Sequence, residues 1–382
     1  MRVKSFVAFV LGLALMSVPG ADARPAPGKV AYVQGNRGLV VYLGNHLRQP
    51  IPLPQTGAPR WSGDGRLVSF GGYIVSGHVH LPTTQLVWAP TGERAAYVTK
   101  AGGVSIWTRS RVRVVVRSGW GATGVAWSMD GALAVGRAVC TGACGLPTKT
   151  AIWVWRRGAL AKLLTTPGHG RPQPVAWDGA RVLWWSWPNS ASIAADGVPL
   201  YENARRLATT LMYGDYVDVC GRHVAVAAGG NRYATSGKRI AYDGRDVSSD
   251  PTRSWVSPSC TPGGMLVASA GRSWEENRFG REHRAIWELL PSRRRLTQPP
   301  LGWTDEFPRL LPNRDVLFVR TRQVPFRRKN EWWTATDALL ELLRQSKLQT
   351  LQKLHFSAAD TSGDWLNYYG HYDWPSRLAL AP

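Results

Sequence analysis

Acidic residues are scarce in this sequence: 25 Asp and Glu stand against 47 Lys and Arg, a formal net charge of +22. A charge of that size bears on solubility and on non-specific partners, not on fold. Sulfur is scarce too. The 382 residues include only 4 Cys and 5 Met, and in this pattern the cysteines suit two disulfides better than a metal site. Beyond the first residues, no stretch reaches the ~20 consecutive apolar residues of a membrane-spanning helix. No Pro/Gly/Ser-rich linker and no shift in composition divides the chain, so one large unit is expected rather than two domains. Also missing are the Gly-x-Ser-x-Gly elbow, the phosphate loop and the zinc-protease motif. No catalytic residue and no cofactor is therefore assigned. The positive charge comes without a basic helix or a nucleic-acid module, so nucleic acid is not an expected partner.

What is present begins with the layout of an export signal. Arg2 and Lys4 precede an apolar run from Phe6 to Val18, which is followed by Pro19, Gly20 and the small-residue pattern Ala21-Asp22-Ala23. This layout predicts a secretory signal cleaved after Ala23, leaving residues 24–382 as a single domain in the periplasm or outside the cell. In that oxidising setting Cys140 and Cys144 are expected to pair and staple the loop between them.

The strongest signal is a repeat. An apolar stretch ends in an aromatic residue, a turn carrying Ser, Asp or Gly follows, and a second apolar stretch begins. Copies are Pro59-Arg60-Trp61-Ser62-Gly63-Asp64-Gly65, Leu86-Val87-Trp88-Ala89-Pro90-Thr91-Gly92, Val125-Ala126-Trp127-Ser128-Met129-Asp130-Gly131 and Val175-Ala176-Trp177-Asp178-Gly179. Weaker copies are anchored at Cys220, Cys260, Leu310 and Trp374. Asp and Gly supply the side-chain hydrogen bond and the positive φ of a tight hairpin turn. Several units continue into a second hairpin, as in Ile152 to Leu164 and Ile286 to Thr297, which makes a four-stranded sheet. Runs such as Val182 to Trp185 are apolar at every position, the pattern of a strand covered on both faces. Ala338 to Leu354 has a helix-favouring composition, but the repeat register places an outer hairpin there, and strands are predicted.

The Trp-Ser-x-Asp-Gly turn, its following strand and the second hairpin resemble the repeats of TolB-type and WD-repeat-like β-propellers, over nearly the whole mature chain. The resemblance implies an all-β propeller of four-stranded antiparallel blades, eight in number with seven as the alternative, closed by strands from both chain ends. Lys29 to Tyr32, Gly38 to Tyr42 and Arg48 to Leu53 read as three strands lacking an inner one, which the segment near Tyr372 to Trp374 would supply. Leu378 to Leu380 does not fit that scheme. Cys220 and Cys260 occupy the Trp position of adjacent repeats, so they are expected to lie side by side near the hub and to be bonded.

Most of the 19 Trp fall on repeat positions and are assigned to packing. Two insertions between second and third strands depart from this. One holds Trp274, Arg278, Arg281 and His283; the other holds Arg327, Arg328, Lys329, Trp332 and Trp333. With the Cys140–Cys144 loop they are expected to crowd one rim, where cations among aromatics suit an anionic or sugar-bearing partner. His78 and His80 sit two apart on a strand, a spacing that can serve a metal, but no third ligand is assignable and a structural or surface pair is preferred. The leading functional expectation is an exported, non-enzymatic, monomeric propeller. Its expected partner is a protein or an anionic envelope component, including a peripheral contact with an anionic membrane or wall polymer. The alternatives are a hydrolase or lyase acting on glycans or peptides at the funnel, and a scaffold module of an envelope complex.

Overall fold

The computed structural model describes residues 28–34, 37–43, 48–53, 57–83, 85–140, 147–167, 170–187, 197–231, 236–273, 283–328, 331–355 and 372–381, of which 323–328, 331–336 and 355 are described by backbone alone. These residues form eight antiparallel sheets of four strands each, an eight-bladed β-propeller. Blades 2 to 8 follow one another along the chain, each running from an inner to an outer strand. Their inner strands are Pro59–Trp61, Leu86–Trp88, Ala122–Trp127, Arg171–Asp178, Val217–Cys220, Arg253–Cys260 and Trp303–Leu310. Blade 1 joins the two ends of the described chain: Lys29–Gln34, Arg37–Tyr42 and Arg48–Pro52 add to an inner strand, Leu378–Leu380.

That closing strand corrects the sequence expectation. Leu378 pairs with Tyr32, and Leu380 with Val30, while the predicted segment makes a short helical turn, Trp374–Arg377. The physical reason lies in Pro375, which fixes φ and has no N–H to give a ladder. The apolar tail Leu378–Leu380 is free in φ and keeps its N–H groups.

The buried apolar side chains divide into eight clusters, and each joins two neighbouring blades. An open stack of eight blades would have only seven such seams. The eighth, where Val30, Tyr32 and Val41 of blade 1 meet Leu317, Val319 and Leu340 of blade 8, closes the ring. Blade 5 shows why its second strand is apolar throughout: Val182 and Trp184 pack toward blade 4, and Leu183 and Trp185 toward blade 6. Full burial of one such side chain stabilises by roughly 1.5–3 kcal/mol. No blade could keep both flanks in water.

The Trp anchors stitch this ring with directed bonds. Each indole N–H donates to the preceding blade: Trp61 to the Ala379 carbonyl at 3.1 Å, Trp88 to Ser69 Oγ at 3.0 Å, Trp127 to the Val87 carbonyl at 3.0 Å and Trp177 to the Ala126 carbonyl at 2.9 Å. Where Cys replaces Trp, Cys220 and Cys260 form the expected disulfide between blades 6 and 7, with Cα atoms 5.8 Å apart. The turns are self-contained. Ser128 Oγ donates to Asp130 Oδ1 at 2.5 Å and accepts from the Ala132 N–H at 2.8 Å, while Gly131 takes φ +81°, where a side chain would be strained. The region with helix-like composition is strand, Glu331–Arg344 and Lys347–His355. Its apolar residues find a covered sheet face there, and burial outweighs local propensity.

Candidate functional site

The topology sorts the connections onto two faces. Turns joining strands one to two and three to four lie on one face, and connections joining strands two to three and one blade to the next lie on the other. The second face carries the long connections of blades 4 to 8. Blade 8 contributes a hairpin that outgrows its sheet: Val316–Arg328 pairs with Glu331–Arg344 up to Arg328 opposite Glu331. Among the described residues the inner strand pairs no further than Arg322 and the outer strand no further than Asp337. Residues 323–328 and 331–336 there pair only with each other, as a two-stranded ribbon. Directly opposed residues share a side of a ribbon, so the register puts Val324, Phe326, Trp333 and Ala335 on one side, and Gln323, Arg327, Trp332 and Thr336 on the other.

This ribbon carries Arg327, Arg328, Trp332 and Trp333 of the predicted site. Lys329, Trp274, Arg278, Arg281 and Cys144 lie outside the described residues. Their flanking strand ends, Arg272, Val139 and Lys149, all point to the same face. Cys140 is disulfide-bonded. His283 is exposed and sits just before the third strand of blade 7, where Nδ1 donates to the Trp303 carbonyl at 3.1 Å. The His78–His80 pair does not share a strand face. His78 turns at φ +52° and its Nδ1 meets the Tyr73 hydroxyl at 2.8 Å, while His80 packs on the Tyr73 ring at 4.7 Å. Among the described residues no group of three or more His, Cys, Asp or Glu is placed to hold a metal ion.

The axial channel is bridged on the long-connection face. Trp374, fully buried, donates Nε1–H to Glu306 of blade 8 at 2.9 Å, and Glu306 also takes the buried Arg284 guanidinium at 2.7 Å. The Pro375 carbonyl accepts from Arg60 of blade 2, and burial pushes the Arg60 guanidinium below its ordinary pKa, against the pull of Asp373. A Cβ added to Gly214, in the connection from blade 5 to blade 6, would come within 3.2 Å of Pro375. Blade 1 and that connection lie on opposite sides of an eight-membered ring, so the turn spans the channel mouth.

The turn face holds what sequence reasoning missed: a cleft of about 250 Å³ between blades 5 and 6, lined by Asp178, Arg181, Glu202, Arg205, Arg222, His223 and Asp243 among others. Arg181 donates to both Asp178 and Glu202, and Arg205 reaches the same Glu202 oxygen at 2.8 Å. Asp178 is 2% exposed. Burial raises its pKa first of all; Arg181 opposes this, and Glu202 and Asp243 add to it. In blade 5 Asn203, at φ +48°, accepts from the Val182 N–H at 3.0 Å; Asp243, at φ +50°, does the same for Val224 at 2.9 Å in blade 6. Asp in place of Asn frees a charged oxygen, which holds His223 Nδ1 at 2.7 Å while the imidazole stacks on Tyr242. No single motif announces this cleft, because its members are turn residues of four separate hairpins. Their charges do not stand out in sequence, because other turns are charged too, as at Asp64, Arg66, Asp130 and Arg314.

No protein-family model and no curated protein matches the chain. Among solved structures it is similar to an acylaminoacyl peptidase of Pyrococcus horikoshii, at 12% identity and a TM-score of 0.46, covering 87% of this chain and 52% of that one. It is also similar to the β-propeller domain of the trilobed protease of Pyrococcus furiosus, at 9% identity and a TM-score of 0.39, covering 88% of this chain and 98% of that one. The chain thus spans about half the length of the peptidase it matches, and at these identities the likeness is one of fold alone.

Proposed function

We propose that the protein is an exported propeller of the TolB-like kind that acts by binding, with its long-connection face docked on an anionic component of the cell envelope. The observation that carries this reading is the blade 8 ribbon. A hairpin of 13- and 14-residue strands outgrows its own sheet, on the face where the other long connections gather, and brings Arg327, Arg328, Trp332 and Trp333 to its tip. Aromatics and cations there suit an anionic, partly apolar surface through ion pairs and ring contacts. The layout of the first 23 residues supports export and a mature chain of residues 24–382. The turn across the channel mouth weighs against chemistry at the funnel, and so against the hydrolase alternative.

Near an anionic surface each Lys or Arg contributes about 1 kcal/mol, so reversing three should weaken binding by ~100-fold or more. The test is co-sedimentation of Arg327→Glu/Arg328→Glu/Lys329→Glu with envelope fractions and with anionic vesicles, beside the parent. Loss of binding in the variant is the expected result. Unchanged binding removes the ribbon from the function.

A further inference from the structure

We propose that the cleft between blades 5 and 6 is a binding site for a compact oxyanion of the phosphate or sulfate class, held by Arg181, Arg205 and Arg222. It lies on the turn face, opposite the blade 8 ribbon, and does not depend on the envelope-binding reading.

The case starts from how the cations are placed. Arg181 and Arg205 converge on one oxygen, Glu202 Oε2, at 3.0 and 2.8 Å. Their guanidiniums are therefore neighbours, and a single buried carboxylate oxygen holds both. Each guanidinium has five N–H donors, and Arg205 uses one nitrogen on Glu202, which leaves donors to spare. Both side chains remain about half exposed toward the cleft. Arg222 enters from the other blade, on the turn between Cys220 and His223. It is exposed and makes no ion pair or hydrogen bond among the described residues.

Each acid of the cleft has a partner other than Arg222. Asp243 is engaged twice, by His223 Nδ1 and by the Val224 N–H. Asp178 is buried and accepts from Arg181; burial disfavours its ionisation, and Arg181 opposes this. Guanidinium keeps its charge at any ordinary pH. Asp178 and Glu202 are held by Arg181 and Arg205, and Asp243 by His223, so Arg222 stands as a cation of the cleft without a carboxylate partner among the described residues. Forked donors on planar groups match the oxygens of phosphate and sulfate. A volume of about 250 Å³ is larger than either ion needs, so the oxyanion has room to carry an ester substituent.

The test is calorimetric titration of the full chain with inorganic phosphate, sulfate and acetate, at ionic strength held constant with chloride. The parent is compared with Arg222→Gln and Arg205→Gln, and with Arg111→Gln, an exposed arginine of another turn on the same face. Saturable binding of phosphate or sulfate by the parent, weakened at least tenfold in Arg222→Gln and in Arg205→Gln and unchanged in Arg111→Gln, is the expected result. Arg222 has no partner to lose, so its removal leaves folding intact, which a thermal melt verifies. Glycerol phosphate binding more tightly than inorganic phosphate assigns the site to an ester; equal binding assigns it to the free ion. The proposal is overturned if neither oxyanion saturates the parent, if acetate binds as well, or if both arginine variants bind like the parent.

Discussion

The disulfide at the hub gives the sharpest handle on what holds neighbouring blades together. Cys220 and Cys260 replace the indole stitch found elsewhere in the ring, and their separation of 40 residues sets what the bond contributes. In the chain-entropy treatment, closing a loop of that size removes roughly 13 cal/mol/K from the unfolded ensemble, or about 4 kcal/mol at 25 °C. Unfolding entropy of about 2.1 cal/mol/K per residue, over a chain this long, makes the melting curve steep. A loss of about 4 kcal/mol then corresponds to a fall of roughly 5 °C in Tm. Cys220→Ala/Cys260→Ala should show that fall by differential scanning calorimetry. The double variant gives up little packing, because Ala keeps the Cβ and only two sulfurs leave a seam already lined by Ala225, Ala268 and Leu266. A Tm within 1 °C of the parent would refute the reasoning, since blades 6 and 7 would then be held by their apolar seam alone.

Two further outcomes follow from buried charge. Arg320 and Asp305 form a two-pronged pair at 2.6 and 2.9 Å inside blade 8; Asp305→Ala takes both hydrogen-bond partners from the buried guanidinium and leaves it the charge of nearby Glu341, and chemical denaturation should show a loss of about 3–5 kcal/mol, whereas a loss below about 1 kcal/mol contradicts the pairing. Lys238 is 1% exposed, its ammonium meets only the Asn231 carbonyl among the described residues, and burial lowers its pKa to about 7. Because the unfolded chain holds that proton up to about pH 10.4, the folded state is penalised increasingly as pH falls from about 10 to about 7. Lys238→Met should therefore gain more stability over the parent at pH 7 than at pH 10, and an equal gain at both pH values would contradict the shift.

The architecture was legible because the repeat writes one physical requirement eight times. Trp61, Trp88, Trp127 and Trp177 each need an apolar seam and an acceptor on the blade before, and their spacing follows the ring. The same register settled Ala338 to Leu354, where composition alone points to a helix. It also placed Cys220 beside Cys260. It failed at the last anchor, because Trp374 looks like the others while serving a different purpose: it lies in a turn over the channel and donates to Glu306. Leu378–Leu380, too short to carry a motif, does the closing. Of the site residues, the blade 8 group was legible as cations among aromatics in an insertion. The cleft of Asp178, Arg181, Glu202, Arg205, Arg222, His223 and Asp243 was not, because it forms only when two blades stand side by side. In sequence those residues are solvated turn charges. Part of the arginine excess likewise has a structural purpose, since Arg94, Arg113 and Arg137 lie over the rings of Trp127, Trp155 and Trp120, where cation and ring attract.

Both faces, and every site placed on them, exist only if the ring closes through its two ends. Ala31 and Ala379 are directly opposed in the closing pair, so Ala31→Cys/Ala379→Cys brings two thiols within bonding reach. Non-reducing peptide mapping of the oxidised, monomeric protein should recover one peptide joining the first and last strands of blade 1. Recovery of both new thiols free, or joined only between molecules, would contradict the closed eight-bladed ring.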